Sequence, residues 1–232
     1  MIELIDTYWL YFLVGQYPDG PLGGVVLTIV LAASALLLAL PFGFLLGLAR
    51  VSPWRWLNLP VTALVHFVRG TPLLMVVFWA YFFLPGITGH KSGQFPTMLA
   101  ALALFNGAYL AEIIRAGIAA LPRGQMESAR SLGLGYMQAM RFVILPQVWR
   151  NMLPSLVNQF VATIKDTSLG YIIGLTEASF IASQVNSQVL TKPAQVYGLL
   201  GAGYFLLCFG LSRLAFWLEG RLARRRTMAW SG

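Results

Sequence analysis

Long apolar stretches separated by short, arginine-bearing turns set the pattern of this chain. The run 24–49 (GVVLTIVLAASALLLALPFGFLLGLA) holds no charged residue and is stopped by Arg50. About 20 predominantly apolar residues cross a bilayer as a helix, so this run predicts a span. A second stretch, about 57–84, predicts a span that Arg69-Gly70-Thr71-Pro72 kinks or splits in two. A third covers about 95–118, a fourth and more polar one about 146–174, and a fifth about 196–218. Ahead of them, MIELIDTYWLYFLVG carries Glu3 and Asp6 but no lysine or arginine. Residues 1–22 therefore read as an amphipathic lead-in helix at the membrane surface, without the basic start of a cleavable signal.

Loop charge orients these spans. Arg50 and Arg55 follow the first, and Arg115, Arg123, Arg130, Arg141 and Arg150 surround the long polar insert after the third. Arg213, Arg221, Arg224, Arg225 and Arg226 follow the fifth, whereas the opposite side receives only Lys91 and Lys192. Because cytoplasmic loops collect arginine and lysine, five spans with the N-terminus out and the C-terminus in are expected. The spans occupy 23–221, and the basic tail 222–232 is expected to anchor at the surface and fray beyond it. Gly43 with Gly47, and more loosely Gly198 with Ala202, form small-residue pairs at which helix backbones can approach closely.

Composition supports the membrane reading. Of 232 residues, 58% are hydrophobic and 10% are charged, against about 25% charged in soluble domains. The net charge of +8 sits in the loops as a topology signal and does not call for nucleic acid. The single Cys208, inside an apolar run, excludes an intramolecular disulfide and is assigned to packing. His66 and His90 are too few and too scattered for a haem bundle or a metal cluster. None of the lysines Lys91, Lys165 and Lys192 follows a glycine, so the chain has no GxxxxGK[ST] phosphate loop. No cofactor, no metal site and no covalent chemistry are expected on this chain.

The polar insert, residues 119–146, carries mechanism. Pro122 suits a helix start, Gln125 to Met140 contains good helix formers, and Gly133 and Gly135 permit a bend or a break. Arg123, Glu127 and Arg130 offer charge to a partner, and Met126, Ala129 and Leu132 an apolar ridge. Composition alone reads such an insert as an interfacial amphipathic helix. Its fuller pattern runs Glu127-Ser128-Ala129, three residues, Gly133, nine residues, then Val143-Ile144-Leu145-Pro146. This resembles the coupling loop of ABC importer permeases, with Ser128 for an alanine and Val143 for an isoleucine.

Four further segments, Glu112-Ile113-Ile114-Arg115-Ala116-Gly117, Arg123-Gly124-Gln125, Arg69-Gly70-Thr71-Pro72-Leu73 and Asp166-Thr167-Ser168-Leu169, resemble the polar amino acid (histidine/glutamine/glutamate-type) branch of those permeases. The resemblance extends over about 23–221. It implies an all-α polytopic membrane protein of the type I ABC importer permease fold, in a bacterial inner membrane. It also implies a separate ABC ATPase subunit dimer docking on Arg123, Glu127, Ser128, Ala129, Arg130 and Gly133. ATP is then bound by that partner, a periplasmic solute-binding protein delivers substrate, and a second permease copy or a sister permease completes the path.

The fourth segment is too polar for a lipid-facing helix. Gln159, Ala162, Thr163 and Asp166 fall at i, i+3, i+4 and i+7 of one helical stripe, with Ser155 a turn earlier. Ionisable groups at membrane depth face a cavity or a partner charge. A zwitterionic amino acid needs a negative group for its ammonium and donors for its carboxylate. Asp166 offers the first, and Arg69, Thr71 or the open backbone at the Gly70-Thr71-Pro72 break the second. The competing reading makes Asp166 a helix cap neutralised by Lys165.

Relatives for cationic substrates are expected to carry a carboxylate near Gln159. Its absence favours glutamate, aspartate or glutamine over a basic amino acid. An ion-coupled secondary transporter would need internal repeats and a coupling-ion site, and neither is evident. After Gly174, TEASFIASQVNSQVLTKP is expected at the outer surface, either solvated or offering Glu177, Gln184, Asn186 and Gln188 to a soluble receptor.

Overall fold

A computed structural model describes residues 2–90 and 92–229, with the side chains of residues 2, 3, 150, 215 and 218–229 left aside. Lys91 as an outer charge and the last residues of the basic tail lie outside that description. The described residues form helices, and backbone bridges join only Gly15 to Leu22 and Gly24 to Glu177.

The seam that organises the bundle joins α2 (Gly24–Val51) to α6 (Gln94–Ala119). Along α2 the small residues Ala32, Ala35, Ala39, Gly43 and Gly47 share one buried stripe. A Cβ on Gly43 would lie 2.6 Å from Leu110 Cβ, and one on Gly47 would lie 2.7 Å from Ile114 Cβ. The Gly43–Gly47 pair therefore brings two backbones together as its spacing suggests. The Gly198–Ala202 pair does not: both residues are exposed, and a Cβ at 198 would meet nothing within 4 Å.

The second stretch breaks where proline and glycine stand. α3 (Arg55–Gly70) ends on Thr71, whose extended ψ of 134° is the conformation imposed on a residue before proline. α4 (Leu73–Phe78) starts behind Pro72 and continues through a π-helical turn (Trp79–Phe83) into α5 (Leu84–Thr88). The two arms meet at 100°. α3 is the more polar arm, and Trp54 just ahead of it and Trp56 in its first turn are exposed, aromatics of the kind that settle at a membrane interface. A second π turn, Met140–Ile144, stands just ahead of Pro146 as the first stands ahead of Pro85. In each case the proline lacks the N–H that a regular turn would use.

Among the described residues, three segments are long and apolar enough to cross a membrane: α2, α6, and Pro193–Leu214 of α11 (Pro193–Ala229). The bent α3–α5 pair brings the number to four by length and composition. The five expected spans include α9 (Leu145–Asp166), which is long enough but falls short because its polar stripe lowers its hydropathy. Between α6 and α9 lie α7 (Arg123–Ser131) and α8 (Tyr136–Ala139). Beyond α9 a 3-10 segment (Thr167–Ile173) leads to α10 (Ala178–Val189), against which α1 (Ile2–Val14) packs through Leu4 and Phe12. α11 stays helical through Ala229, so most of the tail expected to fray is helix.

Candidate functional site

α7 is a short helix with one face anchored and one face free. Its Ala129 is 3% exposed and Met126 packs against the cluster of Ile114, Met140, Ile144, Val148 and Met152. The apolar ridge expected to meet a partner thus turns inward and fixes the helix to its own bundle; of that ridge only Leu132, 83% exposed, stays outside. Arg123, Glu127, Ser128 and Arg130 are all exposed.

Gly133 ends the helix with φ +84°. Its N–H donates to Arg130 O, and the next N–H, of Leu134, donates to Ala129 O. This paired closure requires a left-handed residue, which glycine adopts without strain. Two bonds hold the insert to the bundle: Tyr136 Oη donates to Val51 O at 3.2 Å, and Gln147 Nε2 donates to Gln125 Oε1 at 3.1 Å.

A second set of polar groups lies at mid-length between α6 and α9. Asn106, fully buried, accepts on Oδ1 from Gln159 Nε2 at 2.7 Å and from Thr163 Oγ1 at 2.7 Å, and donates to Leu102 O. Thr163 is closed off in this knot. Gln159 and Ala162 are half-buried, and Gln159 Oε1 keeps its acceptor capacity. Asn106 received no role from the sequence, although a lone amide in the apolar run LFNGAYL was the available signal.

The third set centres on Glu112. Its carboxylate bonds Arg50 from α2, lies 3.4 Å from Arg69 Nη1 of α3, and accepts from Arg115 Nη2 at 2.6 Å one turn along α6. The Arg50 side chain is only 4% exposed, against 34% for Arg69 and 39% for Arg115. Arg69 also stacks over the Tyr109 ring at 5.1 Å, and Arg50 Nη2 lies 3.4 Å from His66 Nε2. Sequence reasoning quoted Glu112 only as part of a flank. An acid this deep in an apolar helix demanded a cationic partner.

These placements divide the expected substrate pocket. α6 and α9 run antiparallel, because Asn106 meets Gln159 and Thr163 while Gly117 meets Met152 and Val148. Glu112, with Arg69, lies six residues toward the C-terminal end of α6, and Asp166 lies three residues beyond Thr163 in the opposite direction. At 1.5 Å per residue the two ends stand roughly 15 Å apart along the bundle. Arg69 and Asp166 of one chain therefore do not grip one small zwitterion together. Thr71 uses its hydroxyl to cap Phe67 O at 2.9 Å.

Asp166 caps nothing: it accepts no capping bond at the start of the 3-10 segment, forms no ion pair among the described residues, and stays half-buried. Glu177, expected on the outer surface, is fully buried. It caps α10 by accepting from Ser179 N and Phe180 N, and Tyr204 Oη donates to it at 3.0 Å. Gln184 accepts from Tyr11 at 2.6 Å, and Gln188 remains exposed.

An all-helical membrane bundle with polar groups strung along its central helix pair, and a small helix standing outside it, is the build of a transport-path subunit. Residues 39–226 match the family of binding-protein-dependent transport system inner membrane components, and the chain belongs to that family. It is 36% identical to the inner membrane amino-acid ABC transporter permease protein YhdY of Escherichia coli, over 98% of this chain and 64% of that protein. It is also 36% identical to the probable glutamine ABC transporter permease protein GlnP of Bacillus subtilis, over 85% of this chain and 91% of that one. A glutamate/glutamine/aspartate/asparagine transport system permease protein, BztC of Rhodobacter capsulatus, shares 36% identity. The chain spans 64% of YhdY and 48% of BztC.

The solved structure of an amino acid ABC transporter with histidines superposes at TM-score 0.83 and 31% identity, covering 95% of this chain and 97% of that one. An inward-facing MetNI methionine ABC transporter shares the fold at TM-score 0.62 and 21% identity.

Proposed function

We propose that this chain is the permease subunit of an ATP-driven importer of polar amino acids, with glutamate, aspartate and glutamine favoured. The observation that carries the reading is α7. It is a nine-residue helix pinned on one face by Met126 and Ala129 and closed by Gly133. On the other face it presents Arg123, Glu127 and Arg130. A helix so held moves with its bundle as one body, which is what a docking element for a separate ATPase needs. ATP-driven approach of the two ATPase subunits would draw two such helices together and open the path outward, in a dimer of this chain or of this chain with a sister permease. A solute-binding protein would deliver substrate on the opposite face.

Substrate contact is assigned as a ladder rather than one pocket. Asp166 takes the ammonium at the outer end, Gln159 and Ala162 line the middle, and Arg69 meets the carboxylate at the end nearer the coupling helix. Relatives named for glutamine and for glutamate/aspartate transport support this substrate class. The test is Glu127→Lys in proteoliposomes containing the whole transporter. Insertion should be normal while ATP-driven uptake falls at least tenfold. Full uptake by this variant would refute docking through α7.

A further inference from the structure

Lys165 and Ser168 open on a cavity of about 380 Å³ between the end of α9, α10 and α11, completed by Ser179, Tyr197, Gly201 and Tyr204. Its volume falls in the roughly 300–1,000 Å³ range of small-molecule sites. It opens on another side of α9 from the middle of the ladder: at 100° per residue Lys165 lies roughly 120° around the helix from Gln159 and roughly 160° from Thr163, while Ala162 and Asp166, at roughly 60° and 100°, border it.

The lining is polarised. Lys165 is exposed and enters no ion pair among the described residues. Tyr204 commits its hydroxyl proton to the buried Glu177, and its oxygen lies 3.4 Å from Ser179 Oγ. The Tyr204 and Ser179 hydroxyl oxygens therefore stand together, with a carboxyl group behind them, and both residues line the cavity. Ser168 likewise donates to Lys165 O, at 2.7 Å, and keeps its oxygen as an acceptor. The lining thus offers a cation to an oxyanion, at Lys165, and hydroxyl oxygens to an ammonium, at Tyr204, Ser179 and Ser168. Gly201 borders it with open space beside its backbone: a Cβ there would meet no atom within 4 Å.

We propose that this cavity is a second zwitterion site, for a ligand that carries an ammonium beside an oxyanion. Two sources share that chemistry, a free amino acid and the headgroup of an aminophospholipid. The first rests on the import reading above; the second does not.

The experiment uses the full chain in phosphatidylcholine nanodiscs, whose quaternary ammonium offers no N–H. One arm measures equilibrium binding of labelled glutamine and glutamate. The other measures retention of phosphatidylethanolamine against phosphatidylglycerol by native mass spectrometry. Gly201→Leu fills the cavity from a position with free space around it, so the fold survives. Lys165→Gln removes the cation, and Gln159→Ala alters only the ladder.

In whichever arm the wild type binds, Gly201→Leu and Lys165→Gln each reduce occupancy at least tenfold, and Gln159→Ala leaves the cavity occupied. Loss in the first arm assigns the site to amino acid, and loss in the second to lipid. Unchanged occupancy in both variants, equal retention of phosphatidylglycerol, or no binding in either arm overturns the proposal. ATP-driven uptake by the assembled transporter is scored separately. Import without cavity binding sinks only this site, and cavity retention of phosphatidylethanolamine without import sinks only the import reading.

Discussion

Glu112→Gln removes the one carboxylate that Arg50, Arg69 and Arg115 share. The three pairs are not equal, because exposure decides how much of the interaction water would replace. Arg115, at 39% exposure, sits on the same helix and can turn to solvent, so losing its pair costs at most about 1 kcal/mol. Arg69 is only a little more covered. Arg50 is different: its side chain is 4% exposed, and its Nε has no partner even in the intact cluster. Removing one member of a buried ion pair leaves an uncompensated charge and costs about 3–5 kcal/mol.

Glu112→Gln should therefore lower the melting temperature of the purified protein by on the order of 10 °C, whereas Arg115→Gln should move it by only a few degrees. The double variant Arg50→Met with Glu112→Met buries no charge and should recover most of the loss, since paired apolar replacement of a buried ion pair is near neutral. Melting can be followed by dye labelling of Cys208, the only thiol in the chain. A melting point for Glu112→Gln within 2 °C of wild type, or a double variant less stable than the single one, would refute this account of the cluster.

Three further outcomes follow from backbone geometry and burial. Gly133→Ala should destabilise the protein by about 1–2 kcal/mol through its positive φ alone, since nothing crowds the position, while Gly135→Ala, at φ −64°, should be nearly silent; paired thermal melts compare them. Gly47→Val should cost about 1–3 kcal/mol or prevent assembly of the α2–α6 seam, whereas Gly198→Ala should be neutral or stabilising, as read by yield and melting of detergent-purified protein. Burial pushes the Glu177 carboxyl up to about 7. A carboxyl raised on folding favours the folded state when protonated, so stability should fall as pH rises from about 4.5 to about 7, by about 3 kcal/mol. Glu177→Gln should flatten that dependence in melts taken from pH 4 to 8, and an unchanged slope would locate the titration elsewhere.

The parts of this molecule that the sequence made legible are those written in local rules. Helix α2 follows from an uninterrupted apolar run, the α3–α4 break from Pro72, and the end of α7 from Gly133. The parts that escaped depend on which helix faces which. Asn106, Glu112 and Glu177 each signalled a polar group in need of a partner but not which one, because their distant partners stand 53 to 57, 62 and 27 residues away. The Gly198–Ala202 pair fails for a related reason. Small-residue spacing permits close approach but does not supply a neighbour, and in this chain α11 turns that stripe outward. The Arg69–Asp166 pocket assumed that two polar segments meet; the antiparallel course of α6 and α9 carries their partners in opposite directions.

That same course gives the two ends of the ladder different mechanical neighbours. The polar insert is bonded to Val51 through Tyr136, and Val51 follows Arg50, whose guanidinium holds Glu112 and through it Arg69. Asn58 reinforces the joint by donating to Arg50 O. From α7 to Arg69 there is thus a continuous run of bonded groups, ending at the Thr71-Pro72 break where α3 turns 100° into α4. α9 meets the insert more directly, through the Gln147–Gln125 bond near its start and the apolar packing of Val148 and Met152, and Asp166 stands at the far end of that helix. A displacement of α7 would therefore reach both the arginine cluster and the start of α9, while Asp166 lies farthest along α9 from the insert. Arg50, buried and fixed by both its side chain and its backbone, is the residue through which the bonded run from the insert to Arg69 passes.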